Sequence, residues 1–312
     1  MESQFLISIL LALNFNMQRL NTHIIPLSPG SFLKRPVDLL VDDDLGSPLQ
    51  GNKWRKLKRT LELFPSSGKK GLLSFGGAFS NHALAISYAG FLHQFPVHLI
   101  IRGEEAPNLS PTLRDCRDWG AQLQFVTRSV YAAYRDMDYE SLCQLFPDYF
   151  VVPEGGDFAL GEEGFSDFSE FAGNYTHIAL ALGTGTTARG IRKIVSPTVK
   201  LILYPVLKGL DNPFISDQTM LWHDHAHLGG YAKQNKDLLP FATEFFKNYA
   251  LALDPVYTAK AMMALYADIH SDFFAESDRI LFYHTGGLQG IRGYPEWDKA
   301  FKDLGFSAFS GL

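Results

Sequence analysis

The chain has 312 residues, 46% of them hydrophobic and 20% charged, which is the profile of an ordinary soluble globular protein long enough for two lobes. A net charge of -5 and a sequence pI near 6.0 argue against a general nucleic-acid binder, which carries a basic face. The two cysteines, Cys116 and Cys143, make no disulfide framework and read as inert, partly buried thiols of a reducing compartment, hence a cytoplasmic protein.

Phe5 to Phe15 is an apolar run, too short to span a bilayer. Glu2 is the only charge before it, so the basic region of a signal peptide is missing. The run reads as a mis-called start upstream of Met17 or as an N-terminal helix packed on the body, with a cleaved signal the lesser alternative, and no membrane contact is expected.

Gly51-Asn52-Lys53-Trp54-Arg55-Lys56-Leu57 comes next, a lysine in a basic segment. Taken alone, Lys53 reads as a surface residue beside Arg55, Lys56, Lys58 and Arg59. Gly51 shifts that reading, because glycine permits close backbone approach to a ligand. Residues 71–75 form a short buried strand that ends at Gly76-Gly77. Ser80-Asn81-His82 then opens a helix over 81–90. Strand, glycine turn and helix start make an anion site, with free N–H groups at a positive dipole end. Ser80 or Asn81 also serves as an N-cap in that position.

Strands are predicted over 97–101 and 123–126, with a Pro-initiated helix over 111–120 between them. After Pro153-Glu154-Gly155-Gly156 the rhythm resumes with a strand over 176–182. Gly183-Thr184-Gly185-Thr186-Thr187-Ala188-Arg189-Gly190 follows, again between strand and helix. Its backbone amides and threonine hydroxyls suit a small monophosphate. It lacks the Gly-Lys-Ser/Thr of a Walker A loop and the spacing and ribose-binding acid of a dinucleotide fingerprint. Strands over 200–206 and 280–284 complete the alternation of a parallel sheet covered on both faces.

Lys208 to Asn235 reads as loop-rich. Within it His223, His225 and His227 alternate, as zinc ligands on one face of a strand would. The surroundings read as loop and no Cys or Glu set stands near, so no metal is expected. Tyr257 sits at a Pro-initiated helix start, and a phenol there serves packing or, with its pKa lowered, acid–base or nucleophilic chemistry. Thr285, in His284-Thr285-Gly286-Gly287, places a hydroxyl at a strand end, where it could be directed at a ring nitrogen.

A lysine amine near a Ser-Asn-His cluster points to pyridoxal-phosphate chemistry, because the amine can form a Schiff base with the cofactor aldehyde. In combination the motifs at 51–57, 80–82, 183–190, 253–258 and 284–287 resemble the pyridoxal-phosphate enzymes of the tryptophan-synthase-β type (fold type II). The chain is most similar to their 1-aminocyclopropane-1-carboxylate (ACC) deaminase / D-cysteine desulfhydrase family, from about residue 24 onward.

The resemblance implies an α/β fold of two three-layer α/β/α domains with mostly parallel twisted sheets. Residues 1–53 with 161–312 would form the large domain and 54–160 a small mobile one. It implies pyridoxal 5'-phosphate carried on Lys53, with Asn81 at the ring oxygen and Thr285 at the pyridine nitrogen. Gly183, Thr184, Gly185, Thr186 and Thr187 would hold the phosphate. Ser80, Asn81 and His82 would hold the carboxylate region of a small amino-acid substrate, with Ser80 a proton carrier. Tyr257 and Tyr231 would be the two tyrosines of the site, and the protein a homodimer.

ACC deaminases carry Glu after the site tyrosine and Gln after Ser-Asn, whereas Thr258 and His82 stand here and resemble the desulfhydrase branch. The implied activity is β-elimination from D-cysteine to pyruvate, ammonia and sulfide. ACC deamination to 2-oxobutyrate and ammonia is the alternative. Ala83-Leu84 follows His82 where relatives often carry a basic residue, and residues 208–227 have no clear counterpart. These departures motivate a third reading, a non-catalytic relative that binds pyridoxal phosphate.

Overall fold

A computed structural model of the chain describes residues 21–42, 47–230 and 232–308. The apolar run at 5–15 and Tyr231 lie outside them. The strands are β1 (Thr22–Leu27), β2 (Val37–Asp42), β3 (Gly71–Gly76), β4 (Val97–Arg102), β5 (Gln122–Val126), β6 (Tyr149–Val152), β7 (His177–Leu182), β8 (Lys200–Pro205), β9 (Met220–Trp222) and β10 (Ile280–His284). The α-helices are α1 (Asn52–Leu63), α2 (Asn81–His93), α3 (Pro111–Asp118), α4 (Arg128–Arg135), α5 (Tyr139–Leu145), α6 (Ala159–Glu163), α7 (Ser169–Ala172), α8 (Thr186–Arg192), α9 (Leu238–Tyr249), α10 (Thr258–His270) and α11 (Pro295–Asp303). Among the described residues no helix is long and apolar enough to cross a membrane.

The strands form two sheets, one of six in the order β1-β2-β10-β7-β8-β9 and one of four in the order β5-β4-β3-β6. All pairings are parallel except β1 with β2. Alternation along each strand separates two apolar layers. In the large sheet Leu39, Ala179, Ile202 and Phe282 face α9, α10 and α11 through Phe245, Leu265 and Trp297. Leu40, Ile178, Leu180 and Tyr283 face the other way, onto Phe165, Phe168 and Ile191. In the small sheet Leu72, Leu99 and Ile101 meet α1 and α2 through Leu57, Leu61 and Leu84. Leu73, Phe75 and Ile100 meet Tyr131 and Leu142 of α4 and α5. Both sheets are therefore three-layered, the expected α/β fold.

The predicted elements recur with no end shifted by more than three residues, and the strand at 280–284 recurs unchanged. The strands β1, β2, β6 and β9 were not foreseen. β1 contains Pro26, which suits only an edge strand, and β9 spans three residues inside a stretch read as loop.

One charge cluster anchors α1 to the large sheet. Arg55 is fully buried and forks onto Asp42 of β2, Nε to Oδ2 at 2.7 Å and Nη2 to Oδ1 at 2.8 Å. It also donates to Asp167, and its guanidinium lies 5.6 Å from the Phe168 ring centre. Tyr283 on β10 donates its hydroxyl to the same Asp42. A bidentate pair with its remaining lone pairs satisfied is the geometry that offsets the desolvation of a buried charge.

Candidate active site

The C-terminal ends of β3, β7 and β10 open onto one cavity of about 720 Å³, the customary ligand crevice of parallel α/β sheets. Lys53, Ser80, Asn81, His82, Gly183, Thr184, Gly185, Thr187, Tyr257 and Thr285 all line it. Residues far apart in the chain, all named from the sequence, thus meet in one place.

Lys53 lies in the first turn of α1 and donates from Nζ to Asn52 Oδ1 at 2.8 Å. Burial in the cavity pulls its amine down to about 8, against the nearby Asp254 carboxylate, which pulls the other way. An amine at that value is partly neutral near pH 8 and nucleophilic. Asn52 Nδ2 donates to Thr187 Oγ1 at 3.0 Å, which joins the lysine to the Gly183–Gly190 loop.

Gly51 has φ +59°, and a Cβ there would lie 2.4 Å from the carbonyl oxygen of Thr285. Its glycine therefore serves close approach of the Thr285–Gly286 backbone, rather than of a ligand. The His284 ring supports that turn. Its Nε2 donates to Ala252 O at 2.9 Å, Gly286 N donates to its Nδ1 at 3.2 Å, and burial holds its pKa down at about 4.

Ser80 is the N-cap of α2, its Oγ accepting from Ala83 N at 3.1 Å, which settles the cap in favour of Ser80 over Asn81. Asn81 accepts from Gln289 and sits against Gly287. His82 is buried. Ser74 gives its hydroxyl hydrogen to Val152 O at 2.7 Å, so the 2.9 Å contact between Ser74 Oγ and His82 Nε2 is donated by the histidine. That assigns the Nε2–H tautomer, and Nδ1 is left as a buried acceptor with no partner among the described residues. Burial and the charges of Lys53 and Lys56 push the imidazole pKa well down, so the ring is neutral. In this state His82 Nδ1 can only accept a hydrogen bond, which suits an N–H, O–H or S–H and not a carboxylate.

The threonines of the loop divide. Thr184 and Thr187 line the cavity, while Thr186 is fully buried behind it and donates its hydroxyl to Asp157 at 2.8 Å. Thr186 can therefore offer a phosphate its backbone N–H, with its hydroxyl engaged elsewhere. Gly183 packs beneath the Tyr257 ring, where a Cβ would lie 3.2 Å from Cε1.

Three residues were missed. Lys56, read as a surface neighbour, is buried in the cavity and donates to Gly155 O at 3.0 Å. Burial and the adjacent Lys53 charge depress its pKa well below normal. Asp254 is fully buried and accepts from Val256 N, Tyr257 N and Thr258 N at 2.8, 2.8 and 2.7 Å, and from Thr258 Oγ1 at 2.8 Å. Arg102 lines the cavity at the end of β4. The Asx-type capping of Asp254 was legible in Asp254-Pro255-Val256-Tyr257-Thr258; the burial of Lys56 was not. Thr258 is itself buried and gives both its backbone N–H and its hydroxyl hydrogen to Asp254.

The donor set fits pyridoxal phosphate. A depressed lysine amine faces the cavity, a second lysine and the hydroxyl of Thr187 stand where an anion can sit, and Asn81 and Thr285 flank the space between, while Thr184 gives its hydroxyl hydrogen to Thr186. An anion bound beside Lys56 would favour the charged form of its amine.

No family model matches the chain. A curated relative, the bifunctional D-cysteine desulfhydrase/1-aminocyclopropane-1-carboxylate deaminase, mitochondrial, of Arabidopsis thaliana, is 28% identical over 287 residues, covering 80% of this chain and 72% of the relative. Among solved structures, an ACC deaminase homologue superposes with a TM-score of 0.71 at 22% identity, covering 90% of this chain and 93% of that one. O-acetyl serine sulfhydrylase isoform 3 from Entamoeba histolytica gives 0.60 at 13% identity, covering 85% of each chain. The resemblance to the ACC deaminase / D-cysteine desulfhydrase family is borne out by the curated relative, and the expected fold by the solved structures.

Proposed function

We propose that this chain is a pyridoxal-phosphate-dependent lyase of small amino acids, acting by β-elimination on D-cysteine to give pyruvate, ammonia and sulfide. The observation that carries the proposal is the Lys53 amine, held down at about 8 in the cavity and linked through Asn52 to Thr187. When bound, pyridoxal phosphate supplies an aldehyde carbon for the lysine and a ring that withdraws electrons from the substrate α-carbon. Lys56 and the Thr187 hydroxyl, with the backbone of Gly183, Thr184, Gly185 and Thr186, would hold its phosphate. Asn81 and Thr285 would orient its ring.

Lys53 Nζ would anchor the cofactor and is the group that would take the α-proton of the substrate. Ser80 Oγ is the second proton carrier, and Tyr257 bounds the same space over Gly183. The His82 lone pair receives a donor hydrogen of the substrate. Water completes the reaction by hydrolysing the enamine that remains once sulfide has left. Residues 54–160 form the smaller domain that closes over the site and excludes water. The proposal includes a homodimer, by resemblance, and a reducing compartment, in keeping with free Cys116 and Cys143.

The test is keto-acid release by purified, cofactor-loaded protein with D-cysteine, L-cysteine, D-serine and ACC in parallel. Pyruvate and sulfide from D-cysteine support the proposal. A keto acid from ACC alone assigns the chain to ACC deamination. A visible cofactor band with no turnover of any amino acid leaves a non-catalytic relative.

A further inference from the structure

The three histidines of 223–227 do not act together. His227 Nδ1 accepts from Gly229 N at 2.9 Å. His223 and His225 instead turn onto Asp268, in the last turns of α10. His223 Nδ1 lies 2.7 Å from Asp268 Oδ2, and His225 Nε2 lies 3.6 Å from Asp268 Oδ1. One ligand atom from each of the three residues falls within 4.8 Å of the others. We propose that His223, His225 and Asp268 bind a divalent transition-metal ion, of the zinc or cobalt kind, at a site separate from the Lys53 cavity.

The donor chemistry selects the class of ion. Two imidazoles and one carboxylate suit zinc, cobalt, nickel or copper, whereas magnesium and calcium take oxygen ligands. Bonds of about 2.0–2.2 Å in tetrahedral geometry set the donor atoms roughly 3.3 Å apart. The His225–Asp268 separation of 3.6 Å is already close to that and is too long for a hydrogen bond. The His223–Asp268 contact of 2.7 Å is a hydrogen bond that opens by roughly 0.6 Å as the metal replaces its proton.

Three further features separate the cluster from an ordinary His–Asp pair. Each carboxylate oxygen of Asp268 faces a different histidine, and among the described residues its ion-pair partners are these two alone. Tyr204, fully buried on β8, donates to Asp268 Oδ2 at 2.6 Å and sets its ring edge-on to both imidazoles. That is the outer support a metal-binding carboxylate requires. His225 is 46% exposed, which leaves room for a water as fourth ligand.

The site would act as a clamp. Two turns earlier on α10, Lys260 Nζ donates to His227 O at 3.0 Å and Gly230 O at 2.8 Å. Metal at Asp268 would fasten the start of the 223–230 segment to the helix that already holds the end of that segment through Lys260. The same helix begins beside Tyr257 in the cavity.

The test is titration of metal-stripped, cofactor-loaded protein with Co2+, followed by its d–d absorbance to the red of the cofactor band. Equilibrium dialysis against Zn2+ gives the stoichiometry. One ion per chain is expected for the wild type, with His225→Ala weakened roughly tenfold or more. His227→Ala, whose ring lies outside the cluster, should bind as the wild type does. His225 is exposed, so its variant keeps the fold, as circular dichroism will register. Failure of the wild type to retain metal, or equal retention by His225→Ala, overturns the proposal. So does loss of binding in His227→Ala. None of these readouts depends on turnover, so they stand or fall apart from the proposed lyase activity.

Discussion

Lys53 gives its amine hydrogen to the side chain of the residue before it: Nζ donates to Asn52 Oδ1 at 2.8 Å, and Asn52 passes the connection to Thr187 Oγ1 at 3.0 Å. One amide thus spaces the reactive amine from the loop expected to hold a phosphate.

Removing that spacer should weaken cofactor capture without unfolding the chain. Asn52→Ala removes the side chain that links Lys53 and Thr187, a loss of about 1–3 kcal/mol, or roughly five- to 150-fold in cofactor affinity. Fluorescence titration of apoprotein with pyridoxal phosphate measures it, and unchanged affinity would show that the amide only fills space.

The depressed amine sets a pH profile. Capture of the aldehyde needs neutral Lys53, so its rate should rise with pH and level off above about 8. An unperturbed lysine would still be rising toward pH 10. Stopped-flow absorbance across that range distinguishes the two, and Lys53→Ala should show neither visible band nor turnover.

Gly51→Ala should damage the site through the backbone. The new methyl would meet Thr285 O at 2.4 Å and φ is +59°, so strain and clash together should cost more than about 3 kcal/mol. Gly68→Ala is the matched control, with φ +69° and, among the described residues, no atom within 4 Å of the new methyl, and about 1 kcal/mol is expected. Urea unfolding of both variants tests the difference.

Asp42→Ala strands the fully buried Arg55 guanidinium and should lower stability by about 3–5 kcal/mol. Because Arg55 lies on the helix that carries Lys53, residual folded protein should also lose cofactor. A stability change under 1 kcal/mol, read from the urea midpoint, would mean that Asp167 alone compensates.

His82→Gln tests the lone-pair reading. The cofactor band should persist while kcat/KM for D-cysteine falls roughly tenfold, the effect of one lost buried hydrogen bond. An unaltered kcat/KM would remove His82 from substrate recognition.

The sequence by itself determined the strand–glycine–helix rhythm and the positions of Lys53, Ser80, Asn81, Thr187, Tyr257 and Thr285. These signals are local: a period, a glycine needing positive φ, a cap, each readable within a few residues. Tertiary structure decided which groups became buried and what they met. Lys56 and Arg55 look like their solvated neighbours until Gly155, Asp42 and Asp167 close around them. Thr186 gave its hydroxyl to Asp157, Ser74 and Val152 chose the tautomer of His82, and Asp268 took the place that the alternating pattern offered to His227. Desolvation and hydrogen-bond geometry depend on partners that are often distant in the chain, and no short-range pattern encodes them.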